Sequence, residues 1–425
     1  MVSSCITRGA SPRGKFTVFH LARVGVAAVV ASLAVLPGAH AKNVLTYHYN
    51  NLRTGWNSQE TVLTPSTVAS GRNGKTFKLL ASVALDEQVD AQPLIVTNQT
   101  IEGQGTHNVA YVVTANNTLY ALDARTGAIL RQRNFGPPVP QSALPGECDN
   151  NGTNVGTTST PVIDYASRTL YLMAYVYRQN VPNYFLHAVS LSTLDDVTSP
   201  VRVTATGKLR DGTEYKFNAA VSRQRAALLL SNGIVYAAFA SFCDIFADQS
   251  RGWVLGWRAA TLNPLPKNEL TNKKARSAHS FFLSSIWMSG YGPAAHPDTG
   301  DVYFITGNSD YSGKTIDSVF NVAESAVQVS PNLATVKGLF TPGNAVELEK
   351  HDDDFGSGGL MIMPRQNGAP SNLAIAAGKD GKMYLLNADD LKNGGAGALD
   401  SQDIGPCWCG PSPNPWMSRR IFRSK

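Results

Sequence analysis

The sequence predicts an all-β protein, a β-propeller of antiparallel four-stranded blades, and three observations carry this prediction. A short strand pattern recurs along the chain, with steps of 68, 65, 67 and 66 residues between its starting points. A second strand with a central tyrosine follows each of the first four starting points. No segment after residue 41 has the periodicity of a long helix. Several short strands repeated at a fixed period of about 66 residues are typical of small sheets arranged around an axis.

The first strand of each repeat opens with a proline or a small residue. These markers are Pro93, Pro161, Ala226, Pro293 and Gly359. Small residues suit the crowded centre of a propeller, where the blades converge. The central tyrosines of the second strands are Tyr111, Tyr171, Tyr236 and Tyr303. Turn residues separate the first strand from the second, as in residues 231–233 (SNG), which favours hairpins within each repeat.

The repeats predict one propeller domain over residues 42–410, followed by an atypical basic tail over residues 411–425. The proline-rich residues 411–415 cannot pair as a regular strand, because proline has no backbone N–H to donate. We therefore expect the ring of blades to be incomplete at its C-terminal end.

Residues 1–41 have the pattern of a secretory signal peptide. The basic residues end at Arg23, an apolar stretch covers residues 24–36, and residues 39–41 (AHA) fit a small-residue cleavage site. This stretch of 13 residues is shorter than the roughly 20 that span a bilayer. We expect an exported protein, periplasmic or extracellular, that has no membrane association after removal of the leader.

The charge distribution argues against a nucleic-acid partner. The net charge is +6, but the basic excess lies in residues 1–41 and 411–425, which contain no acidic residue. The sequence between them is near neutral and lacks a basic patch of the kind that binds phosphates.

Four cysteines follow the leader: Cys148, Cys243, Cys407 and Cys409. An even number of cysteines in an exported chain permits disulfides. Cys148 and Cys243 each precede an aspartate in a loop, and we predict that they form a disulfide.

The repeats resemble those of the pyrroloquinoline quinone (PQQ) repeat superfamily, the quinoprotein alcohol dehydrogenase-like propellers. Residues 47–55 (YHYNNLRTG) resemble the entry segment of exported members, and residues 119–127 (LYALDARTG) match the blade consensus. The resemblance covers residues 44–410. The superfamily includes quinone-dependent dehydrogenases and propellers that bind no quinone, so the fold leaves the function open.

The resemblance implies four site residues. Trp287 (in SSIW) resembles the tryptophan on which the quinone stacks, and Asn308 (in ITGN) resembles an amide ligand of Ca²⁺. Asp354 (in HDDDFG) resembles the catalytic aspartate, which is both general base and metal ligand. Lys379 (in GKDGKMY) resembles the basic residue that contacts the quinone oxygens.

Two departures from the dehydrogenase pattern lead us to expect no bound PQQ or Ca²⁺. The dehydrogenases have two adjacent cysteines where this sequence has Cys148 alone, and they supply a glutamate ligand where residues 175–178 contain no acid. Since side chains alternate along an extended strand, residues 352–354 (DDD) cannot all face one site.

The sequence therefore predicts first a binding or scaffold module whose loop faces take a protein, peptide or glycan. Insertions at residues 97–107, 137–158 and 245–251 favour this function, because binding residues concentrate on loops. The alternative is a PQQ- and Ca²⁺-dependent oxidoreductase of the alcohol dehydrogenase kind with Asp354 as general base. A second alternative is a propeller hydrolase of the lactonase kind.

The leader yields a direct prediction. Cleavage after Ala41 should give an exported protein that begins at Lys42, because the small residues at positions 39 and 41 fit the peptidase. N-terminal sequencing of the exported protein checks this, and an intact Met1 would contradict it.

Overall fold

A computed structural model of the chain describes residues 42–70, 78–147, 152–242, 250–275, 284–309 and 316–391, and the backbone of residues 406–407. The leader, the tail over residues 411–425, Cys148 and Cys243 lie outside these described residues, so their roles stay predictions. Within the described ranges, no helix is long and apolar enough to cross a bilayer.

Five antiparallel sheets follow one another along the chain, and within each sheet neighbouring strands are hydrogen-bonded. Blade 1 contains β1 (Leu94–Ile101), β2 (Gly105–Val113), β3 (Thr118–Asp123) and β4 (Ile129–Asn134). A connecting pair, β5 (Val139–Pro140) and β6 (Asn154–Val155), follows. Blade 2 contains β7 (Val162–Asp164), β8 (Thr169–Arg178), β9 (Val181–Ser190) and β10 (Val201–Arg202). A hairpin of β11 (Thr206–Lys208) and β12 (Glu214–Lys216) leads to blade 3.

Blade 3 has five strands, because two short strands, β13 (Ser222–Arg223) and β14 (Leu229–Ser231), both pair with the second strand of the blade. The remaining strands are β15 (Ile234–Ser241), β16 (Trp253–Arg258) and β17 (Glu269–Leu270). Blade 4 contains β18 (Ala294–Ala295), β19 (Val302–Ile305), β20 (Ala326–Val329) and β21 (Val336–Phe340). Blade 5 contains β22 (Leu360–Ile362), β23 (Leu373–Ala377), β24 (Met383–Asn387) and β25 (Pro406–Cys407). The described residues also contain two short α-helices, α1 (Pro65–Ser70) and α2 (Ala345–His351), and four 3₁₀ helices of three residues each. The predicted β-propeller of repeated antiparallel blades is confirmed.

The hydrophobic core lies between neighbouring blades, as strand β8 illustrates. Leu170 and Leu172 pack with the strands of blade 1, whereas Tyr171 and Met173 pack with those of blade 3. Side chains of a strand alternate between the two faces of its sheet. Residues 169–176 are therefore all buried, since each face of the sheet is covered by another blade.

The repeated tyrosines of the second strands are clamps between successive blades. Each hydroxyl donates a hydrogen bond to a backbone carbonyl just after the third strand of the next blade. The pairs are Tyr111 to Leu191 at 2.6 Å, Tyr171 to Ala259 at 3.1 Å, Tyr236 to Pro331 at 2.6 Å, and Tyr303 to Ala388. In blade 5 the corresponding residue, opposite Leu360, is Ala376. The incomplete ring after blade 5 stays a prediction.

The segment over residues 44–53 hydrogen-bonds to the first strand of every blade. The partners are Val44 with Ile95, Leu45 with Ile163, Asn51 with Leu230 and with Ala295, and Leu52 with Ile362, at 2.7–2.9 Å. The first strands of all five blades therefore face one short segment, which crosses the region where the blades converge.

Arg53 is the one arginine of this segment, and it has no exposed surface. Its guanidinium donates to the carbonyls of Pro293 at 2.9 Å, Leu228 at 3.0 Å and Tyr47 at 3.0 Å, and to the hydroxyl of Thr46 at 2.7 Å. Burial lowers the pKa of Arg53 to about 9, which still leaves the side chain charged at neutral pH. The charge is spread over backbone oxygens of blades 3 and 4.

Replacement of Arg53 by methionine should destabilise the protein by about 3–5 kcal/mol. The substitution leaves two buried carbonyl oxygens and one partly buried carbonyl oxygen without donors, and each buried loss costs about 1–3 kcal/mol. Urea unfolding measures the change, with the exposed Arg125→Met as a matched control. A difference below about 1 kcal/mol between the two variants would contradict this role.

Candidate functional site

Asp354 enters the candidate site because helix α2 ends at His351, three residues before it. Asp352 adopts a left-handed conformation (φ 57°) that caps the helix, and the Asp353 N–H donates to the Leu348 carbonyl at 3.0 Å. The next residue, Phe355, is buried against core aromatic rings. Of the three consecutive aspartates, only Asp354 points inward, with 15% of its side chain exposed.

Three of the four predicted site residues meet around Asp354. The Lys379 ammonium lies 2.5 Å from Asp354 Oδ2 and 3.3 Å from Asp352 Oδ2. The Asn308 amide Nδ2 donates to Asp352 Oδ1 at 3.4 Å. These residues come from three places: the loop after β19, the segment after α2, and the turn between β23 and β24.

A close approach of two glycines brings the Asp354 and Asn308 loops together. A Cβ added at Gly356 would lie 2.3 Å from the backbone nitrogen of Gly307, so no larger residue fits there. The Lys379 N–H donates to the Asp354 carbonyl at 3.1 Å and ties the third loop to them. Backbone contacts therefore set the position of the three side chains.

Trp287, the fourth predicted residue, lies in a turn anchored to the same loops. Before it, the Ser285 carbonyl accepts from the Gly307 N–H at 2.8 Å, and after it the Ser289 hydroxyl donates to the Ser357 carbonyl at 2.6 Å. The tryptophan is partly buried, and the Arg223 guanidinium lies 5.1 Å from its ring centroid. The turn thus borders the aspartate loop on one side and Arg223 on the other.

Sequence reasoning missed Glu324, the buried acid nearest to Asp354. Glu324 lies just before β20, has no exposed surface and a positive φ of 43°, and its Oε2 accepts from the Phe355 N–H at 2.7 Å. It therefore holds the backbone directly after Asp354. An acid flanked by small apolar residues before a strand (VAES) was the available signal.

Burial raises the pKa values of both Glu324 and Asp354. Burial, followed by the charge of Asp354, raises the pKa of Glu324 well above its ordinary value. Burial also raises the pKa of Asp354, although the Lys379 ammonium opposes that shift. Burial disfavours the charged form of Lys379, but the carboxylates of Asp354 and Asp352 outweigh it and raise its pKa. Burial thus disfavours the charged form of Glu324, whereas Asp354 pairs with Lys379.

The residues around Asp354 could contribute to binding a hard cation. Asp354 Oδ1 and Glu324 Oε1 are buried and accept no hydrogen bond from the described residues. Carboxylate and amide oxygens, as from Asn308, are the donors that Ca²⁺ prefers, but it takes six to eight of them. Within the described part of the chain, no three Asp, Glu, His or Cys side chains group closely enough to hold a metal ion. Asn308, Asp354 and Glu324 alone therefore offer fewer oxygen ligands than Ca²⁺ takes.

No protein-family model and no curated protein sequence matches this chain. Several solved structures do match this chain in fold. A quinohemoprotein alcohol dehydrogenase, ADHIIG from Pseudomonas putida HK5, is 16% identical with a TM-score of 0.53, over 86% of this chain and 48% of that one. A europium-containing methanol dehydrogenase is 13% identical with a TM-score of 0.53, over 83% of this chain and 57% of that one.

A third structure, BamB from Moraxella catarrhalis, is 14% identical over 71% of this chain and 73% of that one, with a TM-score of 0.32, and supports no argument. The chain spans about half the length of the two dehydrogenases. At these identities the likeness concerns the fold alone, and it confirms the predicted β-propeller fold.

Replacement of Glu324 by glutamine should stabilise the protein increasingly as the pH rises above about 4.5. The folded protein retains a proton that the unfolded chain releases near its ordinary pKa of 4.5, so wild-type stability falls over this range. Each unit by which the pKa is raised corresponds to about 1.4 kcal/mol at higher pH.

Urea unfolding of wild type and Glu324→Gln between pH 4 and 8 measures this effect. The amide oxygen of glutamine can still accept from Phe355. Glu347→Gln, on the exposed face of α2, is the control and should show no growing difference. A Glu324→Gln difference that does not change with pH would show that Glu324 is ionised in the folded protein.

Proposed function

We propose that this protein is a quinone-dependent oxidoreductase of the alcohol dehydrogenase kind. The observation that carries the proposal is the convergence of Asn308, Asp354 and Lys379 from three separate loops, with the Trp287 turn hydrogen-bonded to two of those loops. Residues that serve only blade packing have no need of a buried carboxylate paired with a lysine at a junction of loops.

The chemistry of each side chain fits such a reaction. Asp354 would accept the hydroxyl proton of a primary alcohol, and its raised pKa brings its basicity closer to neutral pH, where a general base is most effective. Lys379 would stabilise negative charge that develops beside it. Glu324 keeps the segment after Asp354 in place through its hydrogen bond with Phe355.

The same residues fit the cofactors that the fold suggests. Trp287 would provide a flat face for PQQ, and Asn308, Asp354 and Glu324 would contribute oxygen ligands to Ca²⁺. When bound, PQQ supplies the acceptor for the hydride of the alcohol. The two orphaned carboxylate oxygens, Asp354 Oδ1 and Glu324 Oε1, favour a cation at this place.

A non-catalytic binding or scaffold module is the second candidate. Large apolar side chains are exposed in the segment before blade 1: Leu79 is 82% exposed, Leu80 66% and Trp56 60%. Apolar surface of this kind favours contact with a protein or peptide. Nothing comparable among the described residues favours the propeller hydrolase.

The purified protein, loaded with PQQ and Ca²⁺, should oxidise a primary alcohol, and the electrons released should reduce an artificial dye. Asp354→Asn should lower the rate by roughly 10²–10⁴-fold, because the general base is lost. Asp353→Asn is the matched control, since this neighbouring carboxylate is exposed and should leave the rate unchanged.

Equilibrium dialysis with PQQ separates binding from turnover. Trp287→Ala should weaken binding by about 5- to 100-fold, the effect expected for one lost aromatic contact. If wild-type protein binds no PQQ at high micromolar concentration with Ca²⁺ present, the oxidoreductase proposal is wrong and the binding module is the better account.

A further inference from the structure

Blade 5 has one face that no other described blade covers. Side chains of a strand alternate between the two faces of its sheet. On one face, Leu360, Ala376 and Tyr384 are buried against blade 4, and the Tyr384 ring lies 5.3 Å from that of Phe340. The side chains of the other face are half-buried, and no hydrophobic cluster of the described residues includes them. This free face of blade 5 consists of Met361, Leu373, Ile375, Ala377, Met383 and Leu385.

The amino-acid pattern of blade 5 is that of a sheet covered on both sides. Met361, Ile375 and Leu385 lie opposite one another on β22, β23 and β24 and form an apolar row across the free face. Strands that are apolar on both faces are typical of fully buried sheets. In blade 2, where other blades cover both faces, residues 169–176 are all buried. The free face of blade 5 therefore has the composition of a packing surface, and contiguous apolar surface of this kind marks an interface.

The chemistry of the free face favours a second copy of this chain as its partner. The face has no ionisable side chain, and its one polar residue is Asn387 at the end of β24. A partner that binds through its charges would find no complement there. A second copy presents the identical apolar face, and two-fold symmetry pairs a surface with itself. The blades within the chain already pack in this way, apolar face against apolar face.

The basic tail is a poorer occupant of this face. Residues 411–425 contain four basic residues and no acidic one. Burial of these charges against an apolar sheet without a carboxylate partner would cost more than the contact returns.

We propose that two copies of this chain associate through the free faces of their fifth blades, with Ile375 nearest to the two-fold axis. Ile375 lies in the middle of β23, the central strand of the three, and the two sheets would pack about 10 Å apart. A face of three strands is at the small end of specific interfaces, so we expect a reversible dimer with a Kd of about 1–100 µM. The association needs no quinone and no metal, and it goes beyond the proposed function.

Sedimentation velocity of the full-length exported protein, between about 1 and 300 µM, tests the dimer. Wild type should change from monomer to dimer over this range. Ile375→Glu should weaken the dimer by at least about 10-fold, because association would bury a carboxylate on an apolar face. Ile129→Glu is the matched control, since Ile129 is an exposed strand residue of blade 1, and it should dimerise as wild type does.

A charge-pairing experiment distinguishes loss of the interface from loss of the fold. Ile375→Lys alone should also remain monomeric, whereas a 1:1 mixture of Ile375→Glu and Ile375→Lys should dimerise, because opposite charges then meet at the axis. Dilute Ile375→Glu should unfold at about the same temperature as dilute wild type, since the side chain faces solvent in the monomer. A large fall in that temperature would show that the chain itself covers the face, and it would overturn the proposal.

Four further outcomes would also overturn it. They are a wild-type protein that stays monomeric up to about 300 µM, a dimer that survives Ile375→Glu, a mixture of the two charged variants that stays monomeric, and a dimer lost in Leu79→Glu but kept in Ile375→Glu. The last result would assign the interface to the exposed apolar segment before blade 1. None of these measurements involves PQQ binding or dye reduction, so failure of the dimer and failure of the proposed oxidoreductase activity are distinguishable.

Discussion

The hydrogen bonds between residues 44–53 and the first strands of the blades are the contacts on which the rest of the structure depends. A blade buries both of its faces against its neighbours, but the first strand of each blade would leave backbone groups unpaired at the centre. The segment satisfies groups in all five blades. Arg53, fully buried, adds carbonyls of blades 3 and 4. A compact central segment with one delocalised cation thus replaces the water that would otherwise solvate these groups.

The candidate site follows from this packing. Its residues lie on loops of blades 4 and 5 and on the turn that leads into blade 4, and none is held by its own strand. The loops meet because Tyr303 clamps blade 4 to blade 5 and because Gly307 and Gly356 allow backbone contact. Asp354 is therefore directed inward by the relative position of two blades, whereas its exposed neighbours Asp352 and Asp353 end a helix.

Acidic side chains lie on one side of the Trp287 turn and arginine side chains on the other. Asp354 precedes the first strand of blade 5 and Glu324 the third strand of blade 4, whereas Arg223 and Arg225 belong to the first-strand region of blade 3. In each pair burial disfavours the charged form of the side chains, and this raises the energy of the folded protein. Lys379 relieves the acidic pair in part, and the arginine pair has no such relief among the described residues. Groups buried at a cost to stability are typical of binding and catalytic sites.

The sequence by itself determined the repeat, the strands that open at the marker residues, and the recurrent tyrosines, because these patterns are local and recur with the period of one blade. Its resemblance to the PQQ-repeat propellers also named Asn308, Asp354 and Lys379, which do converge. Only the tertiary structure decided which aspartate of residues 352–354 points inward, that Glu324 lies beside it, and that Arg223 makes no hydrogen bond or ion pair with the residues that the structure describes. Those facts depend on contacts between residues far apart in the chain, and the burial and pairing of a charge are properties of the packed blades rather than of any local sequence pattern.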